Sequence, residues 1–199
     1  MRGRLITIEG LDGAGKTTLC AGLADALPDA RLLREPGGVE LSERIRDLVK
    51  DPALEVDPRA EALLYAAARA QLVASLVRPL LDGGTTVLLD RFVDSSLAYQ
   101  GAGRGLGVGA VRAINDFGTG GLAPDVTLLL RIDPGAGRAR QAGRGEEPDR
   151  LEREDGAFFD AIARAYDELA AAEPGRFRVI DASAAPEAVL AAALEAIAA

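Results

Sequence analysis

The sequence predicts a three-layer α/β/α domain on a five-stranded parallel sheet, with residues 1–199 forming one unit. Five short apolar runs alternate with stretches of helical spacing, the pattern of successive βαβ units. The runs at 85–89 and 126–132 are almost wholly Val, Leu, Ile and Thr, as in strands covered on both faces. Most connections between runs are long enough for a crossover helix, which parallel neighbours require.

The elements follow in order. Arg4 to Glu9 reads as the first strand, with Leu5, Ile6 and Ile8 as its bulk. A glycine-rich turn, Gly10 to Gly15, leads into a helix from Lys16 to Leu27, closed by Pro28. Arg31 to Arg34 is a second short strand, ended by Pro36-Gly37-Gly38. Leu41, Ile45, Leu48 and Val49 mark a helix that stops near Asp51-Pro52. Asp57-Pro58 reads as an N-cap with proline in the first turn. The long helix behind it reaches Gly83-Gly84, with a kink expected at Pro79. Thr85 to Leu89 is the central strand and ends at Asp90-Arg91. One or two helices follow to Gly118, interrupted by the glycine-rich stretch 101–109. Val126 to Ile132 is a strand, and Asp133-Pro134 starts the next helix. A short charged segment, Gly143 to Asp149, precedes a helical face of Leu151, Phe158, Ile162, Ala165, Tyr166 and Leu169. Arg176 to Ile180 is the last strand and Pro186 to Ala198 the last helix. In such a sheet, ligands sit beyond the carboxyl ends of the strands.

Composition narrows the chemistry. The 199 residues carry 23 Lys plus Arg against 31 Asp plus Glu, a net charge of −8. That balance argues against a general nucleic-acid binder, so any anion site must be local. Histidine is absent, which excludes Ser–His, Cys–His and zinc–His mechanisms. The one cysteine, Cys20, allows no intrachain disulfide and is expected to be a buried thiol. No uninterrupted apolar stretch reaches the roughly 20 residues of a membrane span. Met1 to Leu5 has no signal-like run, and the simplest expectation is a cytoplasmic enzyme with no membrane partner.

Gly10-Leu11-Asp12-Gly13-Ala14-Gly15-Lys16-Thr17 matches G-x-x-x-x-G-K-[ST] between a strand and a helix, the context that makes it a P-loop. Glycines let the backbone wrap a phosphate, and the helix N-terminus adds positive potential. Gly10, Gly13, Ala14, Gly15, Lys16, Thr17 and Thr18 are therefore the expected nucleoside-triphosphate-binding residues, and the motif alone does not separate a kinase from an ATPase or a GTPase switch. Lys16 would reach the β- and γ-phosphates, and Thr17 would ligate Mg²⁺. Asp90, closing the central strand, can hold a Mg²⁺-bound water. Arg34 and Arg91 both end strands, so two guanidinium groups point at one crevice and favour a phosphorylated acceptor. The bland alternative is an ion pair of each with its neighbour, Glu35 or Asp90. Tyr65 and Arg69 share a helix face, where stacking on a base competes with a plain cation–π pair. Arg138, Arg140, Arg144, Arg150 and Arg153 surround the charged segment, as in a lid over about 138–153 that closes on ATP.

With these residues in place, the chain resembles the bacterial thymidylate kinases over essentially its whole length. The resemblance rests on 8–18 (IEGLDGAGKTT), Arg34-Glu35-Pro36-Gly37-Gly38, and 66–72 (AAARAQL). It rests also on Asp90-Arg91-Phe92 with 95–101 (SSLAYQG), and on Arg144-Gly145-Glu146 with Asp149-Arg150-Leu151-Glu152. It implies a P-loop fold of nucleoside monophosphate kinase type, phosphorylation of dTMP by ATP with Mg²⁺, and a homodimer joined through the long helices. It implies that Asp12 holds the sugar 3′-hydroxyl and that Arg34 and Arg91 bind the dTMP phosphate. It implies that Tyr65 stacks on thymine, Arg69 donates to its O4, and Ser96, Tyr99 and Gln100 line the base and sugar pocket. The expected catalytic residues are then Lys16, Arg91 and Arg144. Relatives with an arginine inside the P-loop carry it near position 13 or 14, where this chain has Gly13 and Ala14. The lid is expected to supply that charge, through Arg144. Two alternatives stay open: another small-molecule P-loop kinase, and a non-catalytic ATP-binding switch.

Overall fold

A computed structural model describes residues 2–143, 145 and 147–198. Five parallel strands lie in the order β2-β3-β1-β4-β5. They are β1 (Leu5–Gly10), β2 (Arg31–Arg34), β3 (Val87–Asp90), β4 (Val126–Arg131) and β5 (Phe177–Asp181). β1 is central and buried along its whole length, as its near-continuous apolar run requires. Leu88, Leu89, Leu128 and Leu129 fill the same layer, each worth about 1.5–3 kcal/mol when fully buried.

Register places the chemistry. Ile8 and Arg34 both sit opposite Asp90, and Gly10 sits opposite Leu130. The phosphate-binding turn, the central carboxylate and the β2 guanidinium thus leave the sheet at one edge. Among the described residues the helices are α1 (Lys16–Ala26), α2 (Glu40–Lys50), α3 (Pro58–Leu72), α4 (Arg78–Asp82), α5 (Val93–Ser96), α6 (Val108–Thr119), α7 (Pro134–Ala142), α8 (Gly156–Ala172) and α9 (Pro186–Ala198).

The caps are those the sequence implies. Asp57 accepts from Arg59 N at 2.8 Å and Ala60 N at 3.4 Å, and Asp133 accepts from Ala136 N at 2.9 Å. Three expectations need correction. The central strand begins at Val87, not Thr85, because Thr85 N closes the end of the preceding helix by donating to Leu80 O at 2.9 Å. Where a kink at Pro79 is expected, a π-helical turn, Val73–Val77, precedes it and joins α3 to α4. Its last bond runs from Arg78 N to Val73 O, five residues back, just before Pro79, which has no N–H to give. Leu151 is buried but lies ahead of α8, whose start is fixed by Asp155 accepting from Phe158 N at 2.9 Å. A second π-helical turn, Leu97–Gly103, follows α5.

The continuous helix Pro58–Asp82 has an 18-residue window of mean hydropathy 1.3, so length and composition alone would let it cross a membrane. Arg69, Gln71 and Arg78 interrupt it, and Leu72, Val73, Val77 and Leu81 pack into the domain core.

Candidate active site

The cleft at the carboxyl edge of the sheet has a volume of ≈390 Å³. Its donor side is the 10–17 turn. Gly13 and Gly15 take φ of +80° and +91°, which side chains rarely adopt. A Cβ at Gly13 would lie 2.0 Å from Gly137 O of α7, whereas one at Gly15 would meet nothing within 4 Å. The turn is wedged on one side and open on the other, toward the cleft. No larger side chain fits at 13 on this backbone, and Ala14 is buried with its N–H given to Leu11 O at 3.2 Å. Position 13 has no room for an arginine. Gly10 is packed against Leu130 rather than facing the cleft. Lys16 curls over the turn, donating to Gly10 O at 3.0 Å and Leu11 O at 2.8 Å. Burial, reinforced by nearby Arg91, pushes its pKa down to about 8, against the pull of Asp12, Asp90 and Glu9. Thr17 and Thr18 stand exposed on the cleft at the first turn of α1.

Arg91 is the hinge between the donor and acceptor sides. Its Nη2 donates to Asp12 Oδ1 at 2.6 Å and Tyr99 OH at 3.2 Å, and its Nη1 to Gly10 O at 3.2 Å and Ser95 Oγ at 3.0 Å. Its backbone takes φ of +67°, and among the described residues it is the one non-glycine with positive φ. Such strain, about 1–3 kcal/mol, concentrates at functional sites. Glu9 holds the turn in place. It accepts from Phe92 N at 2.7 Å, Ser95 Oγ at 2.6 Å and Tyr166 OH at 2.9 Å. Burial would raise the Asp12 carboxyl, but Arg91, Lys16 and Tyr99 together hold it well below the usual range. Asp90 Oδ1 is buried without a partner at the head of β3. An orphaned carboxylate oxygen beside Thr17 and the phosphate turn suits a hard cation that keeps most of its own waters.

The neighbour ion pairs considered from sequence do not form. Arg34 Nη2 donates to both carboxylate oxygens of Glu43, at 2.9 and 3.0 Å, half-exposed at the cleft rim. Glu35 reaches instead to Arg69, with Oε2 2.6 Å from Nε. Burial pushes the Glu35 carboxyl up to about 7 although Arg69 opposes this, and its Oε1 is buried without a partner. Arg69, 2% exposed, also donates to Ser96 Oγ at 2.9 Å, to Phe92 O at 2.9 Å and to Asn115 Oδ1. It lies over the ring of Phe92, 5.6 Å from the centroid. The cation–π contact open at the sequence level exists, but with Phe92 rather than Tyr65. Tyr65, Ser96, Tyr99 and Gln100 all line the cleft.

Of the lid arginines, Arg144 lies outside the described residues. Arg138 stacks over Phe159 at 5.5 Å, and Arg153 donates to Pro148 O at 3.1 Å. Arg150 is turned inward, with Nε donating to Val49 O at 3.0 Å and Nη2 2.6 Å from Glu61 Oε2, off the hydrogen-bonding direction. Among the described lid arginines, Arg140 lines the cleft. Sequence reading missed Arg46 and Lys50, which also line it. They sit four apart on α2, and that spacing alone says nothing of which cleft they face. Lys50 pairs with Asp149 at 2.7 Å, tying α2 to the lid's carboxyl root.

The family model described as Thymidylate kinase matches residues 8–193. Thymidylate kinase of Deinococcus radiodurans is 51% identical over 92% of this chain and 90% of its own length. That of Bacillus licheniformis is 46% identical over 96% and 92%. A crystal structure of thymidylate kinase from Ehrlichia chaffeensis superposes with a TM-score of 0.83 at 27% identity, covering both chains completely. The matched span takes in the phosphate turn, both arginine-bearing strand ends and the charged segment before α8, and the chain belongs to the thymidylate kinase family.

Proposed function

We propose that the chain transfers the γ-phosphoryl group of ATP to dTMP, giving ADP and dTDP. The observation that carries this reading is Arg91. Its guanidinium is fixed between Asp12 and Tyr99 in the same cleft as Lys16, where its charge, with its Nε–H or an Nη–H released from a protein partner, can meet an acceptor phosphate while Lys16 holds the donor's.

The acceptor oxygen of a monophosphate is already anionic, so an in-line attack on the γ-phosphorus needs no general base. Positioning and electrostatics then carry the rate. Arg34 and Arg91 hold the dTMP phosphate, Asp12 takes the sugar 3′-hydroxyl, Tyr65 stacks on the base and Arg69 offers its remaining N–H to O4. Lys16 and the turn's N–H groups hold the ATP phosphates, and Arg144 brings lid charge to the transferred group. Asp90, through a water, and Thr17 would hold Mg²⁺, which when bound neutralises the charge shared by the β- and γ-phosphates.

Two carboxylates near the acceptor side, Glu9 and Asp12, are unsuited to deprotonate a hydroxyl, which supports a phosphate acceptor. Glu9 is fully buried with both oxygens occupied, and Asp12 is a weak base under Arg91. A homodimer is supported by Phe117 on α6 and Leu63 on α3, large apolar groups 92% and 56% exposed on helices that pack together. A cytoplasmic site of action is supported by the nucleotide substrates.

The test is ADP release with ATP and Mg²⁺ over dTMP, dUMP, dCMP, UMP, AMP, GMP, thymidine and shikimate. Preference for dTMP is expected. A higher rate with thymidine or shikimate shifts the reading to a hydroxyl kinase with Glu35 as base. ATP binding without turnover on any acceptor leaves a nucleotide switch.

A further inference from the structure

Gln100 is 2% exposed on the cleft wall, and its amide has one partner among the described residues. Its Nε2 donates to Glu61 Oε1 at 2.9 Å. Glu61 is 0% exposed, and guanidinium groups surround the rest of it. Arg104 Nε lies 3.3 Å from Oε1, and Arg104 Nη2 and Arg150 Nη2 lie 3.2 and 2.6 Å from Oε2. Arg104 is itself pinned, by Glu154 at 2.6 Å and by Phe158, whose ring centroid lies 4.9 Å away. Neither Glu61 nor its cations can turn aside.

A carboxylate in this setting only accepts, so it decides which end of the Gln100 amide faces it. Rotating the amide would set Gln100 Oε1 against Glu61 Oε1, two acceptors in contact in a buried site. The amide nitrogen therefore points to Glu61, and the carbonyl oxygen is left to the cleft as a bare acceptor.

We infer that Glu61 is a specificity-determining positioning residue: by locking the Gln100 amide, it makes that wall of the base pocket read a ring N–H and reject a ring nitrogen lone pair. Resting on the dTMP reading above, this selects the imide bases, thymine and uracil, whose N3 carries a proton. It excludes cytosine, whose N3 is an acceptor and would face Gln100 Oε1 directly. Glu61 touches no substrate and acts only through Gln100.

The test compares kcat and KM for dTMP, dUMP and dCMP in the native chain, in Glu61→Gln and in Glu61→Asp. A glutamine at 61 can donate as well as accept, so the Gln100 amide is free to rotate. In Glu61→Gln the ratio of kcat/KM for dTMP over dCMP is expected to fall about tenfold or more, the loss of one correctly oriented hydrogen bond. dTMP and dUMP should weaken together, mainly in KM, while dCMP should not. Glu61→Asp is shorter but still only accepts, so it should keep the ratio within about threefold. A packing or charge role would lower all three nucleotides alike, and equal losses overturn the inference. So does a ratio that survives Glu61→Gln but collapses in Glu61→Asp. Should Glu61→Gln fail to fold, Gln100→Met removes the acceptor without touching Glu61, and an unchanged ratio there is equally fatal. If the native chain itself prefers another class of acceptor, the dTMP reading fails first. If it prefers dTMP and Glu61→Gln keeps that preference over dCMP, only the role of Glu61 falls.

Discussion

Lys16 holds its charge in surroundings that disfavour it, with burial and Arg91 bringing its pKa down to about 8. A depressed base is charged below that value and neutral above it, and only the ammonium attracts phosphate. The Kd for ATP should thus rise as pH climbs from about 7 to about 9.5, by up to about tenfold per unit above the pKa. Titration calorimetry across that range checks it, with Lys16→Met expected to bind weakly and without the trend. A flat profile in the native chain overturns the assignment. Arg91 is read by geometry more than by charge, since its fork reaches four acceptors. Arg91→Lys keeps the charge but loses the fork, so KM for dTMP should rise about tenfold or more while the Kd for ATP stays within about threefold. At this scale the sequence was most informative where function is local. The 10–17 turn is contiguous, and its chemistry could be read directly. The partners of Arg69 could not, because Glu35, Ser96 and Asn115 come from three other segments. Glu61 likewise gave no signal on its own helix.

The elements were legible wherever a cap or a breaker marks an end. Asp57 and Asp133 both cap the helices assigned to them. Asp57→Ala should cost about 1 kcal/mol of stability, read as a lower urea midpoint with unchanged m-value; a shift below about 0.3 kcal/mol would show the cap to be redundant with Pro58. The π-helical turns at 73–77 and 97–103 were not legible. An extra residue in a helical turn leaves the apolar spacing almost intact, so only the hydrogen-bond pattern reveals it. The second of these turns carries Tyr99 and Gln100 into the cleft.

For the whole molecule, alternating strand and helix signals predicted the parallel sheet, but the order β2-β3-β1-β4-β5 depends on pairing that no local signal encodes. Surface is the other property that belongs to the whole. Phe117 stands almost fully exposed on α6 beside α3, and large exposed apolar groups mark contact surfaces. Phe117→Asp should convert a dimer to a monomer in light scattering at micromolar concentration. A native chain that is already monomeric there removes the dimer proposal.

A Cβ at Gly13 would strike the backbone of α7, the helix that leads to the lid. On this backbone an arginine at position 13 would have to displace α7. α7 must first withdraw, and that shift would move the lid before any new charge could compensate. Charge in the turn at position 13 and the placement of α7 are therefore coupled, and neither can change without the other.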